Sequence, residues 1–149
     1  MKESYKIVNE VLVDIFNDIL VIEQNAFQNT KYNNLSVTEI HTLEAVGFEG
    51  GKNMSEIAAS LGITVGTLTI AINNLVKKEY VERIRSEKDR RVVKIALTRT
   101  GKVVYRIHEK FHYDMVKATV EGLSEEEEKT LVDSLDKLNN FFKNKYKLK

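Results

Sequence analysis

Basic side chains are concentrated in one part of this sequence, where they have the potential to bind a polyanion. Residues 77–110 contain twelve Lys or Arg and five Asp or Glu, a net charge of +7, whereas the whole chain carries only +1. A basic segment on a near-neutral chain indicates a localised contact with nucleic acid, although charged runs are also common on plain solvated surfaces. The candidate phosphate-binding residues are Arg83, Arg85, Lys88, Arg90, Arg91 and Lys94.

The three histidines are the second group with potential chemistry. His108 and His112 are four residues apart, so on a helix they share one face, and this spacing can chelate a metal ion. The chain has no cysteine, which excludes disulfides, thiolate metal sites and cysteine redox sensing and fits a reducing cytoplasm. The alternative is that the histidines line a pocket or form hydrogen bonds within a core.

Motifs of enzymes are not found in the sequence. It contains no Gly-rich phosphate-binding loop and no nucleophile motif. One glutamate with two histidines is a possible acid–base set, but such triples often arise by chance. We therefore expect that the protein is not an enzyme and has no obligatory cofactor.

Two short helices precede the basic segment and are predicted to position it. Asn53 with Glu56 forms a capping box for the first helix, Gly62 ends it, and Thr64 caps the second helix. The exposed face of the second helix carries small and hydrogen-bonding side chains, which suit a helix lying in a DNA major groove. The candidate base-contacting residues are Thr64, Gly66, Thr67, Thr69, Ile70 and Asn73.

A β-hairpin is predicted after these helices, with strands at 81–86 and 92–97 and a charged tip at 87–91. Long helices are predicted at about 4–28, 99–121 and 125–146, and no proline interrupts them. The first of these is apolar on more than one side, which requires deep burial or a subunit interface. In the last helix we expect Leu131, Leu135, Leu138, Phe142 and Tyr146 to lie inside.

A membrane span and a secretion signal are not expected. No run approaches the roughly 18 apolar residues that a span requires, and no short apolar block follows a basic start at the N-terminus. We therefore expect a cytoplasmic protein without a membrane partner.

The order of these elements resembles the MarR family of bacterial regulators across the whole chain. The most specific match is Asp89-Arg90-Arg91-Val92-Val93, followed by Leu97-Thr98 and Gly101, which is similar to the wing signature of the family. The resemblance implies that Asp89 and Arg91 hold the wing together, through an ion pair, and contribute to the DNA-binding surface. At Glu79 the family often has Gly, and at Val65 and Ile70 many members carry arginine.

The fold class implied is mainly α (α+β), a winged helix-turn-helix with long N- and C-terminal dimerisation helices. We expect a single domain over 1–149, with the winged helix-turn-helix at about 36–98 and the dimerisation helices at about 4–28 and 99–146. A homodimer would present two recognition helices about one DNA turn apart, roughly 34 Å, to a palindromic operator in double-stranded DNA.

Further motifs resemble one branch of the family, repressors of fatty-acid synthesis genes. These motifs are Thr64 to Thr69, Asn73-Asn74-Leu75, Glu82 to Glu87, and His108 with His112. In that branch a long-chain acyl group on acyl carrier protein is the corepressor. The resemblance implies an acyl-chain pocket lined by Ile19, Ile22, Phe27, His41, Ile107, His108, Phe111 and His112.

Two alternatives remain open at the level of sequence. Zinc-responsive members of the same family have a sensing site that the set Glu23, His41, His108 and His112 resembles. A protein of the same fold that binds other macromolecules but no DNA is the other alternative. We expect a DNA-binding transcriptional regulator, a repressor, whose most concrete target is fatty-acid synthesis.

Overall fold

A computed structural model describes residues 2–148 of the chain. In order, the elements are α1 (Glu3–Gln28), α2 (Val37–Val46), β1 (Lys52–Asn53), α3 (Met54–Leu61), α4 (Val65–Lys77), β2 (Val81–Arg85), β3 (Val93–Leu97), α5 (Arg99–Val120) and α6 (Glu125–Tyr146). The predicted winged helix-turn-helix is confirmed: α3 and α4 form the helix pair, and β2 with β3 forms the wing. The short β1 was not predicted, and it pairs with β3 in an antiparallel sheet of order β1-β3-β2.

Polar side chains fix where several helices begin. Ser36, Asn53 and Ser124 each accept a hydrogen bond from the backbone N–H three residues later, and the glutamate at that position bonds back to the cap. These capping boxes satisfy backbone donors that a helix leaves unpaired at its start. Gly62 adopts the left-handed conformation (φ 67°) that ends α3 and turns the chain into α4.

The core lies between the helix pair and the inner face of the sheet. Its buried side chains come from the end of α1, from α2, α3 and α4, from β2 and β3, and from the start of α5, and include Phe27, Ile40, Leu43, Ile57, Leu68, Ile72, Leu75, Val81, Ile95 and Val104. The apolar residues of α4 recur every three or four positions, as a helix packed on one side requires. We call residues 36–98, which supply most of this core, the winged lobe.

Two backbone details hold α4, the wing and α5 together. Glu79 has φ of 65°, and the N–H of the next residue, Tyr80, donates to the carbonyl of Leu75 at 2.9 Å, which ends α4. The carbonyl of Tyr80 accepts a hydrogen bond from the N–H of Thr98 at 3.0 Å and faces Gly101. A Cβ on Gly101 would stand 2.0 Å from that oxygen, so a side chain is sterically excluded there.

The terminal helices carry many apolar side chains that the chain itself does not cover. On α1 the only buried residues are Glu23 and Phe27, whereas Tyr5, Val8, Leu12 and Phe16 are exposed. In α6, Leu135, Phe142 and Tyr146 are exposed and Leu131 and Leu138 only partly buried, so the prediction that these five lie inside is wrong for the single chain. Helical periodicity identifies an apolar face but does not say what packs on it.

The chain divides into two compact units, one ending at Phe111 and the other beginning at His112. The prediction of a single domain stays a prediction. Within residues 2–148 no single helix is both long and apolar enough to cross a membrane, and only α3 with α4, bent by 106°, reaches that length and composition as a pair.

Candidate nucleic-acid interface

The first turns of α4 present a neutral surface of small side chains. Thr64 caps the helix by accepting from the N–H of Thr67 at 3.1 Å, and its hydroxyl donates to the Thr67 hydroxyl at 2.9 Å. The Thr69 hydroxyl donates to the carbonyl of Val65 and is partly buried. Ile70 is 66% exposed, which is unusual for a large apolar side chain and suits contact with a thymine methyl group. The remaining candidates on this face, Gly66 and Asn73, are exposed.

A side-chain hydrogen bond joins the wing to α4 at the surface, in addition to their packing in the core. Arg83 on β2 donates from Nη2 to Oδ1 of Asn73 on α4 at 2.5 Å. Both residues are exposed, so the contact lies at the surface of the lobe. It brings a predicted phosphate-binding residue together with a predicted base-contacting one, which their separation in sequence does not reveal.

The tip of the wing is a turn organised by Asp89. Its carboxylate accepts from the backbone N–H of Arg91 at 3.0 Å, and its carbonyl accepts from the N–H of Val92 at 3.0 Å. Among the residues that the structure describes, no ion pair joins this carboxylate to the Arg91 guanidinium, so the expected ion pair is corrected to a bond with the backbone. The guanidinium is thereby left exposed, as are Arg85, Lys88 and Arg90.

These exposed cations and the neutral helix face have different chemical capacities. Guanidinium and ammonium groups bind phosphate oxygens of any sequence, and their contribution falls with rising salt. Threonine hydroxyls, an amide and an isoleucine side chain can distinguish base edges. The lobe therefore has a charged wing suited to affinity beside a helix suited to sequence selection.

A second site lies away from this surface, around the buried carboxylate of Glu23. Its Oε1 accepts hydrogen bonds from Nε2 of His41 on α2 at 2.7 Å and from Nε2 of His108 on α5 at 2.5 Å. One atom from each of these three residues lies within 4.8 Å of the others, so the set has metal-ligating geometry. His112, the fourth predicted ligand, is partly buried and belongs to the second unit.

The electrostatics of this cluster favour an ionised carboxylate. Burial raises the pKa of Glu23, but the hydrogen bonds from His108 and His41, together with their charge, outweigh it and hold the pKa below its usual value. One carboxylate thus connects α1, α2 and α5. Such a connection can report a change at the histidines to the helices around them.

Only some of the predicted pocket residues lie beside these histidines. The rings of Phe27 and Phe111 stand 6.4 and 6.5 Å from that of His108, centroid to centroid. Ile19 and Ile107 are partly buried, whereas Ile22 is 49% exposed. The sequence did not predict a groove of about 590 Å³ beside Phe48, elsewhere in the first unit. The helical spacing of Arg99, Lys102 and Arg106, three of its lining residues, is the signal that could have indicated it.

Comparison with known proteins agrees with this geometry. The MarR family model matches residues 35–93. An uncharacterized HTH-type transcriptional regulator of Bacillus subtilis, YfiV, is 31% identical over 111 residues, which cover 74% of this chain and 69% of YfiV. The structure is similar to Streptococcus pneumoniae FabT in complex with DNA, with 38% identity, 94% coverage of this chain, 98% of that chain and a TM-score of 0.88.

A more distant structure has the same fold and is also a DNA complex. The MepR F27L mutant of S. aureus, bound to an oligodeoxyribonucleotide, is 24% identical, with a TM-score of 0.59 over 90% of this chain and 97% of that chain. The family match and the likenesses to YfiV and FabT set aside the alternative of a protein that binds no DNA. The winged lobe, the exposed faces of α4 and the wing, and these likenesses lead to one conclusion: the chain belongs to the MarR family of DNA-binding transcriptional regulators.

Proposed function

We propose that this protein is a homodimeric repressor of fatty-acid synthesis genes, with a long-chain acyl group on acyl carrier protein as its corepressor. The observation that carries this proposal is the 38% identity with FabT over nearly the whole chain. The motifs that resemble the fatty-acid branch, from Thr64 to Thr69 and at His108, lie on the recognition helix and in the buried cluster.

The exposed apolar face of α1 supports the homodimer. Residues 3–22 include eleven large apolar side chains exposed by more than a third, among them Phe16 at 65%. A contiguous apolar surface of this kind on one helix is typical of a protein–protein interface. Two-fold pairing through it would give two recognition helices for a palindromic operator.

The proposed acyl-chain site is beside His108, whose ring is close to the rings of Phe27 and Phe111. Each methylene removed from water contributes about 0.8 kcal/mol, so a long chain can supply the free energy of a population shift. The shift would favour dimers with the spacing of recognition helices that fits the operator, because the ligand can only favour the state that it binds more tightly.

Fluorescence anisotropy with the DNA upstream of the gene itself and of lipid-synthesis genes tests this proposal. Long-chain acyl carrier protein is expected to lower the dissociation constant for DNA by about ten- to one-hundredfold, and the carrier without an acyl chain by much less. An unchanged or weaker DNA affinity with the acylated carrier would exclude the corepressor role.

A zinc-responsive regulator is the second candidate, and the Glu23–His41–His108 cluster favours it. Zn²⁺ would replace the protons that the two histidine Nε2 atoms share with the carboxylate, so its binding would weaken at acidic pH. Histidine nitrogen and carboxylate oxygen are suitable ligands for this ion.

Zinc titration separates the two candidates. If the cluster senses zinc, micromolar Zn²⁺ will change the DNA affinity, and His41→Ala with His108→Ala will abolish that response. If DNA affinity is the same with Zn²⁺ and with a chelator, the zinc function is excluded and the acyl-chain proposal is unaffected.

A further inference from the structure

A cationic groove on the first unit is separate from the exposed cations of the wing and from the histidine cluster. It has a volume of about 590 Å³ and lies among Phe48, Leu97, Val103 and three cations of α5, Arg99, Lys102 and Arg106. Glu82 is the only acidic residue that lines it. The groove is open to solvent and has an apolar floor, so it suits a partner that brings both carboxylates and an apolar side chain.

The cations of the groove are held in position by an aromatic ring. The Nζ of Lys102 lies 4.9 Å and the Cζ of Arg106 4.6 Å from the centroid of Phe48. Cation–π contacts of this length orient flexible side chains while leaving outer N–H groups available to a ligand. Arg99, Lys102 and Arg106 follow a spacing of three and four residues, so they form one row about 10 Å long on the helix.

The groove faces away from the DNA-binding side of β2. Side chains alternate along a strand, so Glu82 and Arg83 point to opposite faces. Arg83 reaches Asn73 on the recognition helix, whereas Glu82 lines the groove. The row of cations therefore lies on the other face of β2 from the contact between Arg83 and Asn73.

We propose that this groove docks an acidic helix of the carrier protein that delivers the acyl chain. The identity of the partner rests on the proposed function, whereas the charge and shape of the groove are observed independently of it. A helix with carboxylates three and four residues apart matches the row of cations. The groove and the proposed acyl-chain site both take residues from α5, where Arg106 and His108 are two positions apart and face different sides of the helix.

Isothermal titration of the full-length protein with unacylated acyl carrier protein tests the docking surface. Lys102→Glu with Arg106→Glu is expected to weaken binding at least about tenfold, because two attractive charges become repulsive. Lys117→Glu with Lys129→Glu, the same change of net charge at exposed positions of the second unit, should weaken it less than about twofold. Lys102→Gln with Arg106→Gln gives an intermediate loss and serves if the charge-reversed variant does not fold.

The possible outcomes separate the docking surface from the proposed function. If the groove variants and the control variants bind the carrier equally well, the groove is not the docking surface, even if the acylated carrier still tightens DNA binding. A loss of DNA affinity without carrier, confined to the groove variants, also overturns it, because the groove would then contact DNA. Carrier binding that depends on the groove without any effect on DNA affinity supports the groove and overturns the corepressor role. No binding of the unacylated carrier to the wild-type protein overturns the groove as a docking surface, and the corepressor role is then decided by the DNA-binding experiment with the acylated carrier.

Discussion

The winged lobe and residues 3–22 of α1 contain similar apolar side chains but place them differently. In the lobe, Leu43, Ile57, Leu68 and others are completely buried within one chain. Along residues 3–22 no side chain is buried, although the apolar pattern there is wider than that of any lobe helix. The lobe therefore has a core that is buried within one chain, whereas residues 3–22 of α1 have an apolar surface that the described part of the chain leaves exposed. Four predictions test this contrast.

The largest effect is expected at Gly101, where the lobe is most tightly packed. In Gly101→Ala the new Cβ would stand 2.0 Å from the Tyr80 carbonyl, so the backbone must move and the Thr98 N–H loses its acceptor. We expect a loss of about 3 kcal/mol or more in the free energy of unfolding, measured by urea denaturation. The control is Gly122→Ala, which has open space around its Cβ. Similar stability of both alanine variants would contradict the proposed packing.

The next largest effect should come from a charge on the apolar face of α1. Phe16→Glu places a carboxylate in the proposed interface of each subunit and is expected to shift the protein to monomer in sedimentation velocity experiments. DNA affinity should fall by about one-hundredfold because a monomer contacts a single half-site. The neighbouring Asn17→Glu, on the polar side of the helix, should remain dimeric. A dimeric Phe16→Glu variant would refute the interface.

Replacements on the DNA-binding surface should change binding without changing the core. Arg90→Ala is expected to weaken DNA binding about fivefold for all sequences. It should also reduce the slope of the logarithm of the binding constant against the logarithm of salt concentration by about one. Thr67→Val should instead alter the preference between operator variants by about 1 kcal/mol. Anisotropy over a salt series and an operator library measures both, with Glu87→Ala as the wing control. If both variants weakened all operators equally, the division between wing and helix would be wrong.

The smallest effect should be a gain of stability at Glu79. Its φ of 65° is unfavourable for a side chain with a Cβ, so Glu79→Gly relieves strain but also increases the entropy of the unfolded chain. We expect a net gain of about 0.5–1 kcal/mol in the free energy of unfolding. Lys77→Gly, two residues earlier and within α4, should cost about 1 kcal/mol instead. Destabilisation by both glycines would show that the Glu79 backbone is not strained.

Much of the fold was predictable because its determinants are local. The predicted caps at Asn53 and Thr64 and the turn at Gly62 depend on residues within one helical turn. The strand β1 was missed because two residues carry no periodicity and pair only with a distant β3. The burial predicted for α6 was wrong because a single sequence does not say which chain covers an apolar face.

The candidate sites divide in the same way. The exposure of the wing cations and of Ile70 was predicted from the spacing of apolar and polar residues along the sequence. The joining of Glu23, His41 and His108 was expected from the resemblance, since they lie on three separate helices. The contact between Arg83 and Asn73, and the stacking of α5 cations on Phe48, depend on side-chain positions that no spacing specifies.

The hydrogen bond between Arg83 and Asn73 has a consequence for how sequence preference is measured. The Oδ1 of Asn73 already has a partner before DNA arrives. This oxygen has two lone pairs, so a base can share it with Arg83 or replace the arginine; where it replaces the arginine, the free energy gained is the difference between two hydrogen bonds. Arg83 released by the exchange becomes available to a phosphate. Selectivity at Asn73 and electrostatic affinity at Arg83 are thus not additive, and a double-mutant cycle between them should have a non-zero coupling energy.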